Sequence, residues 1–325
     1  MMINKAILLV GGKGTRLAPL TNKVPKPMLK VAGKPVTEHQ IVKARDAGIT
    51  ELVLATSYLA EVFEPYFGDG RKWDMKISYA IEDSPLGTGG AIANAAAKLK
   101  LAADESVVIF NGDVLSGHDL SAQMQLHDDV AADVTLYLTR VEDPRAYGCV
   151  PLNADKRVMA FLEKMENPIA DTINAGCYIF RREALQRIPR DTVVSVERDT
   201  FPELLANAAK LYGYLDDKYW IDMGTPQSFI KASKDLIMNP SLSAATQGVE
   251  KEVLIAATAQ IDATAQILAG STIAAGCNIA PDVEIIGSMI QEDVVIGAGS
   301  KIVNSYVAAG ITLPAGSTVI NEVIG

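Results

Sequence analysis

Ile3-Asn4-Lys5-Ala6-Ile7-Leu8-Leu9-Val10-Gly11-Gly12-Lys13-Gly14-Thr15-Arg16 is an apolar run that breaks into a glycine-rich segment, followed by the proline-framed lysine Pro25-Lys26-Pro27. The run reads as a buried strand and the segment after it as a phosphate-holding loop. Small residues let backbone N–H groups approach an anion closely, and Lys13, Arg16 and Lys26 bring charge to the same place. A polyanionic ligand follows. The plainer alternative is a tight turn with incidental basic residues. Two better-known glycine patterns do not fit. Lys13 is followed by Gly14, where a Walker loop needs Ser or Thr, and Thr15-Arg16-Leu17-Ala18-Pro19 lacks the third glycine of a dinucleotide fingerprint.

Outward from this stretch the chain alternates. Leu29 to Gly33 reads as a connector, Thr37 to Ala47 as a helix, Glu51 to Ala55 as a strand, Leu59 to Tyr66 as a helical segment and Lys76 to Ala80 as a strand. A helix over Gly89 to Leu99 and a strand over Val107 to Phe110 follow. Strands separated by helices predict an α/β sheet covered on both sides. Ala132 to Arg140, Tyr147 to Val150, Val158 to Phe161 and Thr172 to Phe180 form a strand-rich stretch, read as a substrate-binding insertion beside the sheet. Phe201 to Ala208 reads as a helix, Leu211 to Leu215 and Tyr219 to Asp222 as strands, and Thr225-Pro226 as the capped start of a helix reaching Met238.

Several groups on this frame carry chemistry. Gly87-Thr88-Gly89-Gly90 precedes an alanine-rich helix, where ligand meets backbone or where small residues merely permit close packing. Glu82 stands at a strand end within reach of a base. Asp113, in Asn111-Gly112-Asp113, follows another strand and is a candidate ligand for a hard cation or a simple turn former. Asp222 closes a strand over a hundred residues later, and the two carboxylates across one cleft would suit magnesium. Glu163-Lys164 is either a site pair or a solvated ion pair of little worth.

From Ile255 the period changes. Apolar residues recur six apart through Ile261, Ile267, Ile273, Ile279 and Ile285, then at Ile290, Ile296, Ile302, Val307, Leu313, Val319 and Ile324. The shortened steps at 285 to 290, 302 to 307 and 319 to 324 fall seventeen apart, at Ile286-Gly287-Ser288, Val303-Asn304-Ser305 and Ile320-Asn321-Glu322. A hexad cannot satisfy a helix of 3.6 residues per turn, but it fits a parallel β-helix of about four coils. An uncovered last coil would leave strand edges for another copy, so a homo-oligomer is expected.

Composition sets bounds. With 325 residues, 49% hydrophobic and 21% charged, the chain buries a substantial core in two domains. A formal charge of −9 argues against general binding of nucleic acid or an anionic membrane and for a local positive patch holding a small phosphorylated ligand. Cys149, Cys177 and Cys277 form no paired pattern, no secretion-type leader opens the sequence and no apolar span suits a membrane. A cytoplasmic location is the expectation.

These motifs together resemble the nucleoside-diphosphate-sugar pyrophosphorylases, or sugar-phosphate nucleotidyltransferases, and within them the mannose-1-phosphate guanylyltransferases. The residues that carry the resemblance are Gly11 to Thr21, Pro25-Lys26-Pro27, Leu86-Gly87-Thr88-Gly89, Asn111-Gly112-Asp113, Glu163-Lys164, Asn174-Ala175-Gly176 and Trp220 to Thr225. The resemblance implies a Rossmann-like domain with a mixed, mainly parallel sheet over residues 1–240. A linker and a left-handed β-helix of hexapeptide repeats would occupy 241–325. It implies GTP, mannose 1-phosphate and Mg2+. Gly11, Gly12, Gly14, Thr15, Glu82, Gly87, Thr88 and Gly112 would meet the nucleotide, Arg16 and Lys26 its phosphates, and Asp113 and Asp222 the magnesium. Lys164 would bind the sugar phosphate, and Gly148, Glu163 and Asn174 would surround the sugar.

The implied chemistry is attack of the sugar phosphate oxygen on the α-phosphorus, with pyrophosphate leaving opposite. That oxygen is already anionic, so positioning and neutralisation dominate, and His39, His118 and His127 have no catalytic part. Glu82 lies three residues before Pro85, where pyrimidine-using relatives commonly present glutamine. A carboxylate only accepts hydrogen bonds, which suits guanine. A UTP- or dTTP-dependent glucose-1-phosphate enzyme stays open as an alternative. So does a non-catalytic regulatory subunit, against which the intact Lys26, Asp113, Lys164 and Asp222 count.

Overall fold

The computed structural model describes residues 3–325 apart from Lys13, Lys23, Tyr58, Val249 and Glu250. By contact the chain divides into two compact units, residues 1–12 with 40–220, and residues 13–39 with 221–325.

The first unit is built on a nine-stranded mixed sheet. Lys5–Leu9 lies parallel between Glu51–Thr56 and Ser106–Asn111, and Lys76–Ile81 extends the parallel half. Ala6, Ile7, Leu8 and Val107 to Ile109 are fully buried without alternation, which is the pattern of strands covered on both faces. Register places Leu9 beside both Ala55 and Asn111, so the loops leaving these strands share one edge. Thr172–Arg181 runs antiparallel to Ser106–Asn111 and to Val134–Arg140, and Leu211–Leu215 runs parallel to the latter. Gly148–Cys149 and Leu162–Glu163 add a short antiparallel ladder. Tyr178, Phe180 and Phe161 pack around the Phe201 ring, filling the core under this half.

Local readings differ in four places. The strand expected over Val158 to Phe161 is irregular chain with a single bridge from Val158 to Leu152, and the paired strand is Leu162–Glu163. Val158 and Phe161 are apolar because they plug the core, so burial and strand pairing were conflated. The helix Leu120–Asp129 was not foreseen, although its start is signed by Asp119, whose carboxylate accepts the Ala122 N–H at 3.0 Å. The segment from Leu59 to Tyr66 breaks into the 3-10 turn Ala60–Val62 and the short helix Glu64–Phe67. The connector at Leu29 to Gly33 belongs to a small hairpin, Lys30–Val31 with Lys34–Pro35.

His127 is buried in the first unit, with Nε2 3.0 Å from Ser106 Oγ and Nδ1 2.8 Å from Thr135 Oγ1. Burial, then Arg181, lowers its pKa to about 4. The unfolded chain takes up this proton near pH 6.5 and the folded chain refuses it, so stability is full above that pH and falls as pH drops toward 4. Urea midpoints should decline over this window, and His127→Gln should flatten the decline. An unchanged slope in the variant would remove His127 as its cause.

In the second unit, Thr225 caps the helix Pro226–Met238. Its hydroxyl accepts the Ser228 N–H at 3.2 Å, and Ser228 Oγ accepts the Thr225 N–H at 3.1 Å. Beyond it three parallel ladders wind into a β-helix. One stacks Ile255, Ile273, Ile290, Val307 and Ile324; the second Ile261, Ile279, Ile296 and Leu313; the third Ile267, Ile285, Ile302 and Val319. The hexad predicted these columns. At one corner the fully buried Ser271, Ser288 and Ser305 stack, Ser288 and Ser305 within shortened steps and Ser271 within the six-residue step from Ile267 to Ile273. The hydroxyls of these three accept the N–H groups of Ser288, Ser305 and Glu322 at 3.2, 3.1 and 3.1 Å. Each hydroxyl also donates to a carbonyl of its own coil, so the corner backbone is satisfied without water.

Candidate active site

In the first unit, the loops at the ends of the parallel strands present Gly11, Gly12, Glu82, Gly112 and Asp113. Ser57 Oγ donates to the Gly11 carbonyl at 2.6 Å, and a Cβ on Gly11 would stand 2.7 Å from that hydroxyl. At Gly12 a Cβ would meet nothing within 4 Å among the described residues, so their packing leaves that face of the loop open. Gly112 donates its N–H to the Leu9 carbonyl at 2.9 Å, and a Cβ there would run into the same oxygen. The turn carrying Asp113 is therefore clamped onto the end of the Lys5–Leu9 strand, and only glycine permits the clamp.

Glu82 Oε2 accepts the Leu86 N–H at 3.3 Å, while Oε1 is buried with no hydrogen-bond partner among the described residues. Burial raises its pKa. The helix Gly87–Ala96 starts close against the segment from Thr192 to Val196. Gly89 donates to the Val194 carbonyl at 2.8 Å, and Cβ atoms on Gly87, Gly89 or Gly90 would collide with Val194 or Thr192. Thr88 Oγ1 donates to Glu197 at 2.7 Å and accepts the Val196 N–H at 2.9 Å. Here the small residues do serve packing, and the Thr88 hydroxyl is engaged by the protein.

Gly148, Glu163, Lys164 and Asn174 gather around the antiparallel ladder of the same unit. A Cβ on Gly148 would lie 2.9 Å from Glu163 Oε2 and from the Phe161 ring. Lys164 holds a left-handed backbone, φ 50°, and its Nζ lies 3.8 Å from Glu163 Oε1. Burial, then Glu197, raises the Glu163 pKa. Asn174 donates to the Tyr178 hydroxyl at 2.8 Å, and its carbonyl accepts the Gly176 N–H at 3.2 Å, which fixes the amide at both ends. Asn111 also donates to Tyr178, at 3.4 Å. Trp220 Nε1 donates to the Ala175 carbonyl at 3.1 Å, with the Tyr147 ring edge-on to it at 5.4 Å. Ser57 and Tyr178 had no sequence signal, because each acts through a contact between distant segments.

In the second unit Gly14, Arg16, Lys26 and Asp222 come together. Gly14 takes φ 63°, and Thr21 Oγ1 donates to its carbonyl at 3.0 Å. A Cβ on Gly14 would press on that of Lys26 at 3.0 Å. Lys26 is only 8% exposed, and its Nζ lies 4.0 Å from Asp222 Oδ1. Arg16, next to Thr15 in the turn Thr15–Leu17, and both Asp222 oxygens border Gly224. A Cβ on Gly224 would lie 3.4 Å from Arg16 Nη2 and 3.2 Å from each oxygen. Some two hundred residues apart in sequence, two cations and a carboxylate form one polar cluster. Lys13 lies outside the described residues.

Among the described residues no three His, Cys, Asp or Glu side chains form a metal cage. Magnesium keeps several waters and takes one or two carboxylates plus phosphate oxygens, so it needs no such cage, and a single carboxylate such as Asp113 or Asp222 has the chemistry of its protein ligand. No helix among the described residues is long and apolar enough to cross a membrane.

Comparison with known proteins gives four findings. The family model for nucleotidyl transferases matches residues 5–239. Mannose-1-phosphate guanylyltransferase of Mycobacterium tuberculosis is 46% identical over 90% of this chain and 81% of its own. Mannose-1-phosphate guanylyltransferase 1 of Arabidopsis thaliana is 36% identical over 79% of this chain and 73% of its own. Among solved structures, HddC from Yersinia pseudotuberculosis complexed with GMP-PN aligns with a TM-score of 0.60 at 28% identity, covering 72% of this chain and 100% of that one.

Proposed function

This chain belongs to the nucleotidyl transferase family, and from that premise we propose that it transfers a guanylyl group from GTP to mannose 1-phosphate, giving GDP-mannose and pyrophosphate. It is an enzyme of nucleotide-sugar synthesis. The observation that carries the reaction is 46% identity to a mannose-1-phosphate guanylyltransferase over 90% of the chain. The choice of base is supported by Glu82, whose buried, unpartnered Oε1 awaits a donor such as the N1–H or amino group of guanine.

The reaction needs two anionic reactants brought together. In this reading Arg16 and Lys26 offset the nucleotide phosphates, Gly11, the open Gly12 and Gly14 follow the nucleotide, and Lys164 takes the sugar phosphate. Gly148 leaves room for the sugar beside Glu163, and the fixed amide of Asn174 reads a hydroxyl. The phosphate oxygen attacks without losing a proton, so catalysis lies in alignment and charge neutralisation. The family implies dependence on a divalent cation, and Asp113 and Asp222 are the residues proposed to hold magnesium, which would further offset phosphate charge. A cytoplasmic setting and self-association belong to the same proposal.

The test is a matrix of nucleoside triphosphates against sugar 1-phosphates with magnesium, run on a size-exclusion peak whose mass also decides self-association. GTP with mannose 1-phosphate should lead. Strong turnover of UTP or dTTP with glucose 1-phosphate, and none with GTP, would overturn the assignment. Glu82→Gln should shift the GTP to UTP ratio of kcat/KM toward UTP by about tenfold or more. Because burial raises the Glu82 pKa, KM for GTP should also climb at a higher pH on the acid side than an ordinary glutamate would give. The variant should lose that limb.

A further inference from the structure

We propose that Gln40 is a positioning residue for Asp113, its amide pinning both ends of the turn that presents this carboxylate. The proposal rests on the reading of Asp113 as a magnesium ligand. Gln40 lies on the helix Val36–Asp46 and is 6% exposed. Its Nε2 donates to the Asn111 carbonyl at 2.7 Å and to the Val114 carbonyl at 2.6 Å. These two carbonyls flank Gly112 and Asp113, so one NH2 group spans the turn.

The third fixed point is the Gly112 N–H on the Leu9 carbonyl. Three residues further along the helix, Lys43 Nζ donates to the Ser116 carbonyl at 2.9 Å and lies 3.1 Å from its hydroxyl, holding the chain just past the turn. The helix therefore grips this segment at residues 111, 114 and 116 through two side chains.

The chemistry singles out glutamine. Both amide protons are used on carbonyl oxygens, while Oε1 has no partner among the described residues, so a flipped amide would set oxygen against two oxygens. Glutamate and methionine match the length but donate nothing, and asparagine is one methylene short. Leaving the Oε1 acceptor unmatched in a buried place costs stability, and the two carbonyl bonds are what offset it. Groups that orient a metal ligand change metal affinity by about tenfold to a hundredfold when lost.

The test compares Gln40→Met and Gln40→Glu in the full chain with Gln123→Met. Gln123 is a fully buried glutamine of the same unit, on the helix Leu120–Asp129 ten residues after Asp113; its amide lies 3.5 Å from the Thr135 carbonyl, and among the described residues it makes no hydrogen bond to the turn at 111 to 114. For both Gln40 variants, the magnesium concentration giving half-maximal turnover should rise about tenfold or more, with KM for mannose 1-phosphate unchanged. Mn2+ binding, read by paramagnetic resonance with pyrophosphate present and no turnover, should weaken alongside it. Hydrogen exchange should quicken in the peptide spanning residues 111 to 116. Gln123→Met should lose stability and move neither metal readout. Wild-type metal affinity in Gln40→Met and Gln40→Glu, or an equal shift in Gln123→Met, would overturn the proposal. Asp113→Asn in the same assays separates the two readings. If it leaves metal affinity unchanged, the role of Asp113 falls and this inference with it; if it shifts affinity and the Gln40 variants do not, only the inference falls.

Discussion

Asp113→Asn and Asp222→Asn are each expected to cut magnesium-dependent turnover by about a hundredfold or more, the scale on which a preorganised charge-stabilising group acts. Asparagine keeps the shape of the side chain and removes the charge. For Asp113 the turn survives, because Gly112 and the flanking carbonyls make its anchoring bonds through main chain. For Asp222, cations nearby among the described residues include Lys26, at 4.0 Å, and Arg16, which also borders Gly224. Neutralising the carboxylate leaves these two cations less compensated, so the unfolding midpoint is measured in the same preparations. Initial rates against magnesium concentration decide the matter. Near-normal rates in both variants, with folding intact, would remove them from the site.

Ile302→Ala is expected to destabilise the β-helix by about 2–5 kcal/mol. Ile302 is fully buried in the Lys301–Val303 strand, between Ile285 and Val319, with a coil on each side. The vacated volume cannot close, because the ladder hydrogen bonds hold the neighbouring coils at fixed spacing. Ile320→Ala is the control. That side chain sits one position after the inward Val319, faces outward and is 45% exposed, so its loss should stay within about 0.5 kcal/mol. Urea unfolding of the two variants gives the comparison. Equal midpoints would mean that the inward column carries no more of the stability than the outward one.

Much of this architecture was readable in the sequence because it is written in short-range pattern. The hexad fixed which side chains turn inward, and the shortened steps marked the serine corner, although the hydroxyl ladder itself was seen only in the structure. Thr225-Pro226 announced the capping box, and the unbroken apolar runs at Lys5–Leu9 and Ser106–Asn111 announced strands covered on both faces. Asp222 was found at a strand end because the strand is local. The cluster it joins with Arg16 and Lys26 is made by chain returning after some two hundred residues. Gln40 shows the same limit more sharply. Its partners lie 71 and 74 residues away, and nothing in its own helix distinguishes it from a surface glutamine. Val158 and Phe161 show the opposite error, where core burial imitates a strand although only the single Val158 to Leu152 bridge is made.

The serine corner has an evolutionary consequence. Ser271, Ser288 and Ser305 stand one above another only because seventeen residues separate each from the next. An inserted residue within a strand would turn the later inward aliphatics toward water, whereas the corner takes one more: Ile267 to Ile273 spans six residues, Ile285 to Ile290 five, and Ser271 still stacks on Ser288. Descendants of this sequence can therefore change the domain by whole windings or by single residues at this corner, so its size changes mainly in steps, as a spiral staircase does when floors are added.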